Sequence, residues 1–341
     1  MPELRKDPVL GRWIIIAQER AKRPTDFVVA EAPSMGGFCP LCPGNENTTP
    51  PEVLVYGRSY GAPANTPGWL VRVVPNKYPA LVIEGNLDRQ GEGLYDKMNG
   101  IGAHEVVIES PRHEDVFAQL PLSHMAVIFQ AFRSRIKDLE RDPRFLYVLV
   151  FKNYGRAAGA SLEHSHSQLV ALPILPRMIV SELQGTLEYY KYKERCIYCD
   201  IIRQEIQQKV RVVCQNDLFI TMTPFAPRTP FEMWILPKQH QSGYHNQNDE
   251  QLASLADIFS ETLRRLDACI PGVPYNFVLH TQPLRSESMK HFHWHFEIVP
   301  KLTSIAGFEW GSGFYINPIP PEEAALYLRE SLEKGLQEAR P

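Results

Sequence analysis

The chain has 341 residues, 44% of them hydrophobic, and a formal net charge of −3 at pH 7. This length accommodates two domains with substantial cores, and the acidic balance argues against a protein that follows the phosphate backbone of a nucleic acid. No apolar run approaches the roughly 20 residues of a membrane span, and no apolar stretch follows the first basic residues as it would in a signal peptide. We therefore expect a cytoplasmic protein that binds neither nucleic acid nor membrane.

Short β-branched and aromatic runs bounded by Pro, Gly and Asn predict strands along the whole chain. They lie at 13–17, 69–74, 105–108, 145–151, 210–213, 219–222, 231–236, 275–279 and 291–299. Apolar residues at helical spacing predict a long helix in each half, over 122–139 and 252–266, the second beginning near Asn248 or Asp249. A further helix is expected over 321–339. The predicted fold class is α+β, in which each half is an antiparallel sheet with a long crossing helix, arranged as two half-barrels or two layered sheets.

A repeat of metal-binding residue types divides the chain. Cys-x-x-Cys pairs that begin at Cys39 and Cys196 are each followed by a lone histidine and then by a histidine-rich triplet. The lone histidines are His113 and His240, and the triplets are His164-Ser-His166-Ser-Gln168 and His291-Phe-His293-Trp-His295. The interval from the lone histidine to the first histidine of the triplet is 51 residues in both halves (164 − 113 and 291 − 240). Such self-similarity predicts a tandem repeat of two domains, 1–175 and 176–341.

The two sets of thiols and imidazoles suit zinc. In a reducing compartment a Cys-x-x-Cys pair with distant histidines indicates a metal site rather than a disulfide, and two thiolates with two imidazoles match a closed tetrahedral zinc centre. The predicted ligands are Cys39, Cys42, His113 and His164 at one site, and Cys196, Cys199, His240 and His291 at the other. Iron is an alternative metal at the second site. The competing interpretation, incidental cysteine pairs and surface histidines, would make the equal intervals an accident.

One histidine of the first triplet, His166, is not among the predicted metal ligands and is therefore available for catalysis. Side chains alternate along a strand, so His164, His166 and Gln168 share one face. With His164 on the metal, a neutral His166 can attack phosphorus if a backbone carbonyl holds its other nitrogen as an N–H donor. The Gln168 amide can donate to a phosphoryl oxygen as charge develops. Upstream, the small-residue loop 153–161 can bring backbone N–H groups and the Ser161 hydroxyl to a phosphate; an ordinary glycine turn is the alternative.

Six segments together carry a family resemblance. They are 5–13, 20–24, 39–45 (CPLCPGN), 74–80 (VPNKYPA), 153–161 and 164–168. Through them, and over essentially its whole length, the chain resembles the galactose-1-phosphate uridylyltransferase branch of the histidine-triad superfamily. The resemblance implies a tandem of two histidine-triad-like domains and a homodimer.

The resemblance also implies a ping-pong reaction. His166 would attack the α-phosphorus of UDP-glucose, release glucose 1-phosphate and form a uridylyl-histidine, from which galactose 1-phosphate takes the nucleotide. Gln168 would steady the nucleotidyl group. The other implied substrate contacts are Asn153, Gly159 and Ser161 at the phosphates, Arg20, Arg23 and Asn76 in the nucleotide pocket, and Lys301, Phe308 and Glu309 at the sugar.

Two features depart from the pattern of many members of that family. Ser165 stands between the active-site histidines, where many members carry proline. The second half keeps a full Cys/Cys/His/His set, where some members use His and Glu. Both features also resemble ADP-glucose phosphorylase, a relative that transfers an adenylyl group to phosphate. The base of the nucleotide and the acceptor (sugar phosphate, phosphate or water) therefore stay open.

The second triplet leaves further alternatives open. His293 is either a second nucleophile or, as we favour, a structural residue, and His280 is either a pocket residue contributed across a subunit interface or a polar loop position. The remaining histidines, expected to be ordinary surface or core residues, are His104, His124 and His245. A double zinc module without catalysis is the alternative from a different functional class, and under it His166→Ala would change no measurable behaviour.

Overall fold

The structure of the protein is a computed structural model that describes residues 1–17, 19, 23–27 and 36–338, with side chains up to residue 332. Its strands are β1 (Glu3–Lys6), β2 (Trp13–Ile16), β3 (Leu54–Tyr56), β4 (Val71–Pro75), β5 (Gln90–Glu92), β6 (Tyr95–Lys97), β7 (Ala103–Ile108), β8 (Tyr147–Tyr154), β9 (His166–Leu172), β10 (Val212–Gln215), β11 (Phe219–Met222), β12 (Met233–Pro237), β13 (Tyr275–His280), β14 (His295–Pro300) and β15 (Tyr315–Asn317). Its helices are α1 (Leu122–Leu139), α2 (Arg177–Lys193), α3 (Ile197–Gln208), α4 (Asp249–Cys269), α5 (Gly307–Ser312) and α6 (Pro321–Glu338). None of the helices in this part of the chain is both long and apolar enough to cross a membrane.

Ten strands form one antiparallel sheet that runs through both halves of the chain. Its order is β10-β11-β12-β14-β13-β8-β9-β7-β4-β3. The halves meet where β8 pairs with β13, from Tyr154 opposite Tyr275 to Val150 opposite Leu279. The predicted α+β class and antiparallel pairing are confirmed. The expectation of two half-barrels or two layered sheets is wrong, because the strands at which the halves meet satisfy each other's backbone hydrogen bonds instead of forming free edges.

The strand order is the same on both sides of this junction. Going outward it is β8-β9-β7-β4-β3 in the first half and β13-β14-β12-β11-β10 in the second. The predicted long helices are α1 and α4, and they pack against each other on one face of the sheet. Their aromatic side chains share one core, since the ring centroid of Phe259 lies 5.3 Å from that of Phe129 and 5.2 Å from that of Phe296.

Alternation along the strands separates the helix-covered face from the other face. Leu169 on β9 and Phe296 on β14 belong to the core under α1 and α4. Gln168 and His295 precede them by one residue and therefore point to the opposite face. Smaller apolar clusters on that face contain the cysteines of both Cys-x-x-Cys pairs. The candidate chemistry of both halves thus lies on the face away from the helices.

One predicted strand begins later than expected. The segment 291–299 was expected to be extended throughout, but β14 begins only at His295. The same pattern occurs in the first half, where β9 begins at His166. The first histidines of each triplet therefore lie in the turns that precede the strands.

Two reciprocal hydrogen bonds between Asn248 and Gln251 cap the N-terminus of α4. Asn248 Oδ1 accepts from the Gln251 N–H at 2.8 Å, and Gln251 Oε1 accepts from the Asn248 N–H at 2.9 Å. We expect Asn248→Ala to lower the free energy of unfolding by about 1 kcal/mol, because the backbone N–H of Gln251 loses its acceptor. Asn248→Asp keeps that acceptor and should be close to wild type. Urea unfolding at a fixed zinc concentration measures both, and equal losses in the two variants would contradict the role of the cap.

Candidate active site and metal centres

The first cysteine pair and two histidines converge as predicted. The ligand atoms of Cys39, Cys42, His113 and His164 all lie within 4.8 Å of one another. Cys42 Sγ is 3.4 Å from His113 Nδ1 and 3.5 Å from His164 Nδ1. Sulfur and nitrogen ligands of one tetrahedral zinc ion would be about 3.6 Å apart. The His164 Nε2–H donates to the Ser110 carbonyl at 2.7 Å, which leaves Nδ1 free to bind a metal. The donor set and its spacing therefore fit a tetrahedral metal ion.

The second group corrects one predicted ligand. Its members are Cys196, Cys199, His240 and His293. His293, rather than His291, takes the fourth place, with Nδ1 3.7 Å from Cys199 Sγ and Nε2 2.9 Å from the Pro237 carbonyl. His291 is instead partly exposed, with its ring centroid 6.3 Å from that of Tyr190.

The correction follows from where the strand begins. His164 precedes the first residue of β9 by two, and His293 precedes the first residue of β14 by two. The offset between the halves is therefore 129 at this point (293 − 164 and 295 − 166). Aligning the halves by their equal 51-residue intervals therefore matched His164 to His291, whereas its structural counterpart is His293. The alternative in which His293 is a second nucleophile is also wrong, because His293 faces the cysteine pair and His295 is the counterpart of His166.

His166 has the tautomer that an attack on phosphorus requires. Its Nδ1 lies 2.8 Å from the His164 carbonyl, which can only accept, so Nδ1 carries the proton and Nε2 carries the lone pair. Burial of the imidazole lowers the pKa of His166 below its ordinary value, and the nearby Lys152 ammonium lowers that pKa further. The ring is therefore held neutral at neutral pH, with its Nε2 lone pair free.

A cavity of about 410 Å³ opens beside this imidazole. It is lined by His166, Asn153 and Ser161, and by the turn that follows β8. In that turn Gly155 and Gly159 have φ values of +78° and +89°, a backbone conformation that other residues rarely adopt. The cavity therefore joins the predicted nucleophile to the predicted phosphate loop.

A residue of the second half braces this loop, and the sequence did not indicate it. Asn276 on β13 donates through Nδ2 to Asn153 Oδ1 and to the Ala158 carbonyl, both at 2.8 Å. Asn276 lies directly opposite Asn153 in the junction between the halves. No local sequence pattern marks such a contact, because it exists only once β8 and β13 pair.

Gln168 shares a small polar cluster with Asn76. Gln168 Oε1 lies 2.8 Å from His104 Nε2, and Asn76 Nδ2 lies 3.1 Å from the same ring nitrogen. His104, expected to be an ordinary histidine, thus contacts two of the predicted substrate-binding residues. The sequence carried no signal for this contact beyond its place on β7.

The other predicted substrate contacts lie apart from this cavity or outside the described residues. Arg20 falls outside the described residues, and Arg23 is exposed, with its backbone N–H donating to Asp26. The predicted sugar-binding residues are Lys301, Phe308 and Glu309, and the residues that line the cavity do not include them. Lys301 is partly buried after β14, and Phe308 is 49% exposed at the start of α5.

The counterpart of His166 in the second half is enclosed. His295 is 1% exposed, its ring stacks on that of His280 at 4.7 Å, and its Nε2 lies 3.8 Å from Glu182 Oε1. The His280 Nδ1–H donates to Glu182 Oε2 at 2.8 Å, and His280 is itself buried, so it is neither an exposed loop residue nor open to a neighbouring subunit. Glu182, His280 and His295 lie close enough to share a metal ion. Within the described residues, the second half therefore keeps the histidine but encloses it.

Comparison with known proteins places these features in a family. Residues 1–176 match the family model described as galactose-1-phosphate uridyl transferase, N-terminal domain, and residues 120–340 match a domain of unknown function, DUF4921. The chain is 38% identical to ADP-glucose phosphorylase of Arabidopsis thaliana over 96% of this chain and 93% of that protein. It is 28% identical to galactose-1-phosphate uridylyltransferase of Thermotoga maritima over 97% of this chain and 99% of that protein.

Solved structures agree with the sequence comparisons. The crystal structure of the Arabidopsis thaliana ADP-glucose phosphorylase with bound ADP-glucose is similar to this chain with a TM-score of 0.82 and 36% identity, over 97% of this chain and 98% of that one. A structure described as uridylyltransferase gives a TM-score of 0.76 and 32% identity, over 98% of this chain and 100% of that one. These relatives are enzymes that transfer a nucleotidyl group. The chain belongs to the galactose-1-phosphate uridylyltransferase family, with ADP-glucose phosphorylase as a close relative.

Proposed function

We propose that the protein transfers a nucleotidyl group from a nucleoside diphosphate sugar through a covalent bond to His166. The Nε2 lone pair forms a bond to the α-phosphorus, the bond to the bridging oxygen breaks, and the sugar 1-phosphate leaves. An acceptor then attacks the same phosphorus and releases His166. The observation that carries this proposal is the hydrogen bond from His166 Nδ1–H to the His164 carbonyl, 2.8 Å long, beside a cavity.

The surrounding residues support charge stabilisation at that phosphorus. A Gln168 amide whose oxygen contacts His104 has its N–H donors available for a phosphoryl oxygen. Asn153, Ser161 and the backbone of the loop with Gly159 would bind the phosphates. Arg20, Arg23 and Asn76 would line the nucleotide pocket. We further propose that Lys301, Phe308 and Glu309 bind the sugar, and that the protein is a homodimer.

Two reactions share this covalent intermediate. The first is transfer of uridylyl from UDP-glucose to galactose 1-phosphate, which the family model and several uridylyltransferase relatives support. The second is transfer of adenylyl from ADP-glucose to phosphate. It is favoured by the 38% identity to an ADP-glucose phosphorylase, by Ser165 between the histidines and by the complete second Cys/His group.

We also propose zinc at both Cys/His groups, with iron as the alternative at the second. A zinc ion supplies structural stabilisation at such a closed site. In the first group it would hold His164, whose carbonyl accepts from His166, so the metal site would support the nucleophile indirectly. The two groups would belong to two histidine-triad-like domains, 1–175 and 176–341. A cytoplasmic location stays a prediction from the sequence.

The second metal site gives a paired test. We expect His293→Ala to lose one zinc ion per chain and to be less stable, because bound structural zinc contributes directly to the free energy of folding. His291→Ala is the matched control, since the same substitution two residues earlier should keep the full zinc content. Metal analysis of both purified variants decides the assignment, and loss of zinc from His291→Ala alone would contradict it.

The covalent intermediate is tested by intact mass. After mixing with UDP-glucose or ADP-glucose and no acceptor, wild-type protein should gain the mass of a UMP or an AMP group. His166→Ala should gain neither, whereas His295→Gln should still form the adduct, because His295 is enclosed away from the cavity. A UMP adduct supports the uridylyltransferase reaction and an AMP adduct the phosphorylase reaction. An undiminished adduct in His166→Ala would show that another residue is the nucleophile.

The acceptor is tested on the loaded enzyme. Galactose 1-phosphate should discharge a uridylyl adduct to UDP-galactose, whereas phosphate should discharge an adenylyl adduct to ADP. Chromatography of the released nucleotides separates the two products. Discharge by water at the same rate as by either acceptor would instead indicate a hydrolase.

A further inference from the structure

His166 is the first residue of β9, and only one neighbouring strand pairs with it. The ladder between β8 and β9 ends at Phe151 and Gln168, and the ladder between β7 and β9 ends at Ile108 and His166. Gln168 is therefore paired on both sides, whereas His166 is the terminal residue of its strand and is paired on one side. Backbone pairing alone restrains the nucleophile less than it restrains Gln168.

A buried ion pair holds the chain at this point. Lys152 Nζ on β8 lies 2.5 Å from Glu109 Oε2, and the two residues are 2% and 0% exposed. Lys152 Nζ also donates to the backbone carbonyl of His166 at 2.9 Å and to Ser165 Oγ at 3.1 Å. The three N–H donors of the ammonium therefore all have acceptors, and one acceptor belongs to the nucleophile's own backbone.

Glu109 holds the same segment through both serines that flank His166. Its Oε2 accepts from Ser165 Oγ at 2.5 Å, and its Oε1 accepts from Ser167 Oγ. Its backbone N–H also donates to the Ser165 carbonyl at 3.1 Å. Both serines are buried. A fully satisfied polar network in a low-dielectric interior is rigid and favours a single geometry.

We infer that Lys152 and Glu109 are positioning residues that fix the His166 imidazole for in-line attack on phosphorus. They act through the His166 carbonyl and the two serines, and they need not touch the substrate or move a proton. This assignment rests on the proposed nucleotidyl transfer to His166. It also accounts for the serine at position 165, where many family members carry proline, because the Ser165 hydroxyl binds both Lys152 and Glu109.

The test removes the charges together, because removing one partner would leave the other charge buried and unpaired. In Lys152→Met/Glu109→Gln, the rate constant for adduct formation should fall about 100-fold, as expected for a nucleophile displaced by about 1 Å. The nucleotide-sugar concentration at half-maximal rate should change less than threefold, because the proposed phosphate contacts of Asn153, Gly159 and Ser161 remain. Zinc content and thermal midpoint are measured on the same samples.

A second variant keeps the ion pair and its bond to the His166 carbonyl and removes only the two serine hydroxyls that bind Glu109. Ser165→Ala/Ser167→Ala should slow adduct formation at least tenfold without loss of zinc. The matched control is Ser242→Ala, a buried serine whose hydroxyl donates to Gln282 at 2.6 Å in the second half, and it should react at the wild-type rate. The ring ¹⁵N shifts of His166 give a readout besides activity, since a loosened ring should lose its uniform Nδ1–H tautomer.

The outcomes separate this inference from the proposed function. Slow adduct formation in both variants, with zinc retained and the control unchanged, supports the positioning role. Rates within threefold of wild type in either folded, zinc-loaded variant overturn it while leaving the nucleotidyl transfer intact. A wild-type protein that forms no adduct with either nucleotide sugar overturns the proposed function and this inference together.

Discussion

The pairing of β8 with β13 is the contact on which the rest of the molecule depends. It joins ten strands into one sheet and lets α1 and α4 share a single aromatic core. Each half would otherwise expose an edge strand with unpaired N–H and C=O groups. The same pairing brings Asn276 to the loop beside His166, so the loop at the cavity of the first half is held by a residue of the second.

The two halves share a strand order and differ in the chemistry beside the equivalent histidines. The first half has Gln168 two residues after His166, a neutral donor suited to a phosphoryl oxygen. The second half has Glu297 at the same distance after His295, and its carboxylate pairs with the partly buried Arg228. A carboxylate at that place would repel the oxygens of a phosphate.

Electrostatics explains why the second site stays closed. Burial alone would lower the pKa of His280, but the carboxylates of Glu182 and Glu297 raise that pKa to about 10. The imidazolium and its two carboxylates form a satisfied buried network around His295. Breaking such a network leaves uncompensated charges, so it resists entry of a ligand. One half therefore keeps its histidine beside a cavity, while the other encloses the equivalent histidine and supplies Asn276, which braces the loop at that cavity.

The sequence by itself determined the features that depend on local spacing. The α+β class, the helices α1 and α4, the Asn248 cap and the shared face of His166 and Gln168 follow from short-range periodicity and side-chain chemistry. The first predicted Cys/Cys/His/His group also converges in the structure, because the residue types in that half left few alternatives. Only the tertiary structure decided that the halves share one sheet, that His293 replaces His291 beside the second cysteine pair, and that Lys152, Glu109 and Asn276 lie around His166 and its loop. Those facts depend on which strands pair and at which residue each strand begins, and hydrogen bonds between residues far apart in the sequence set both.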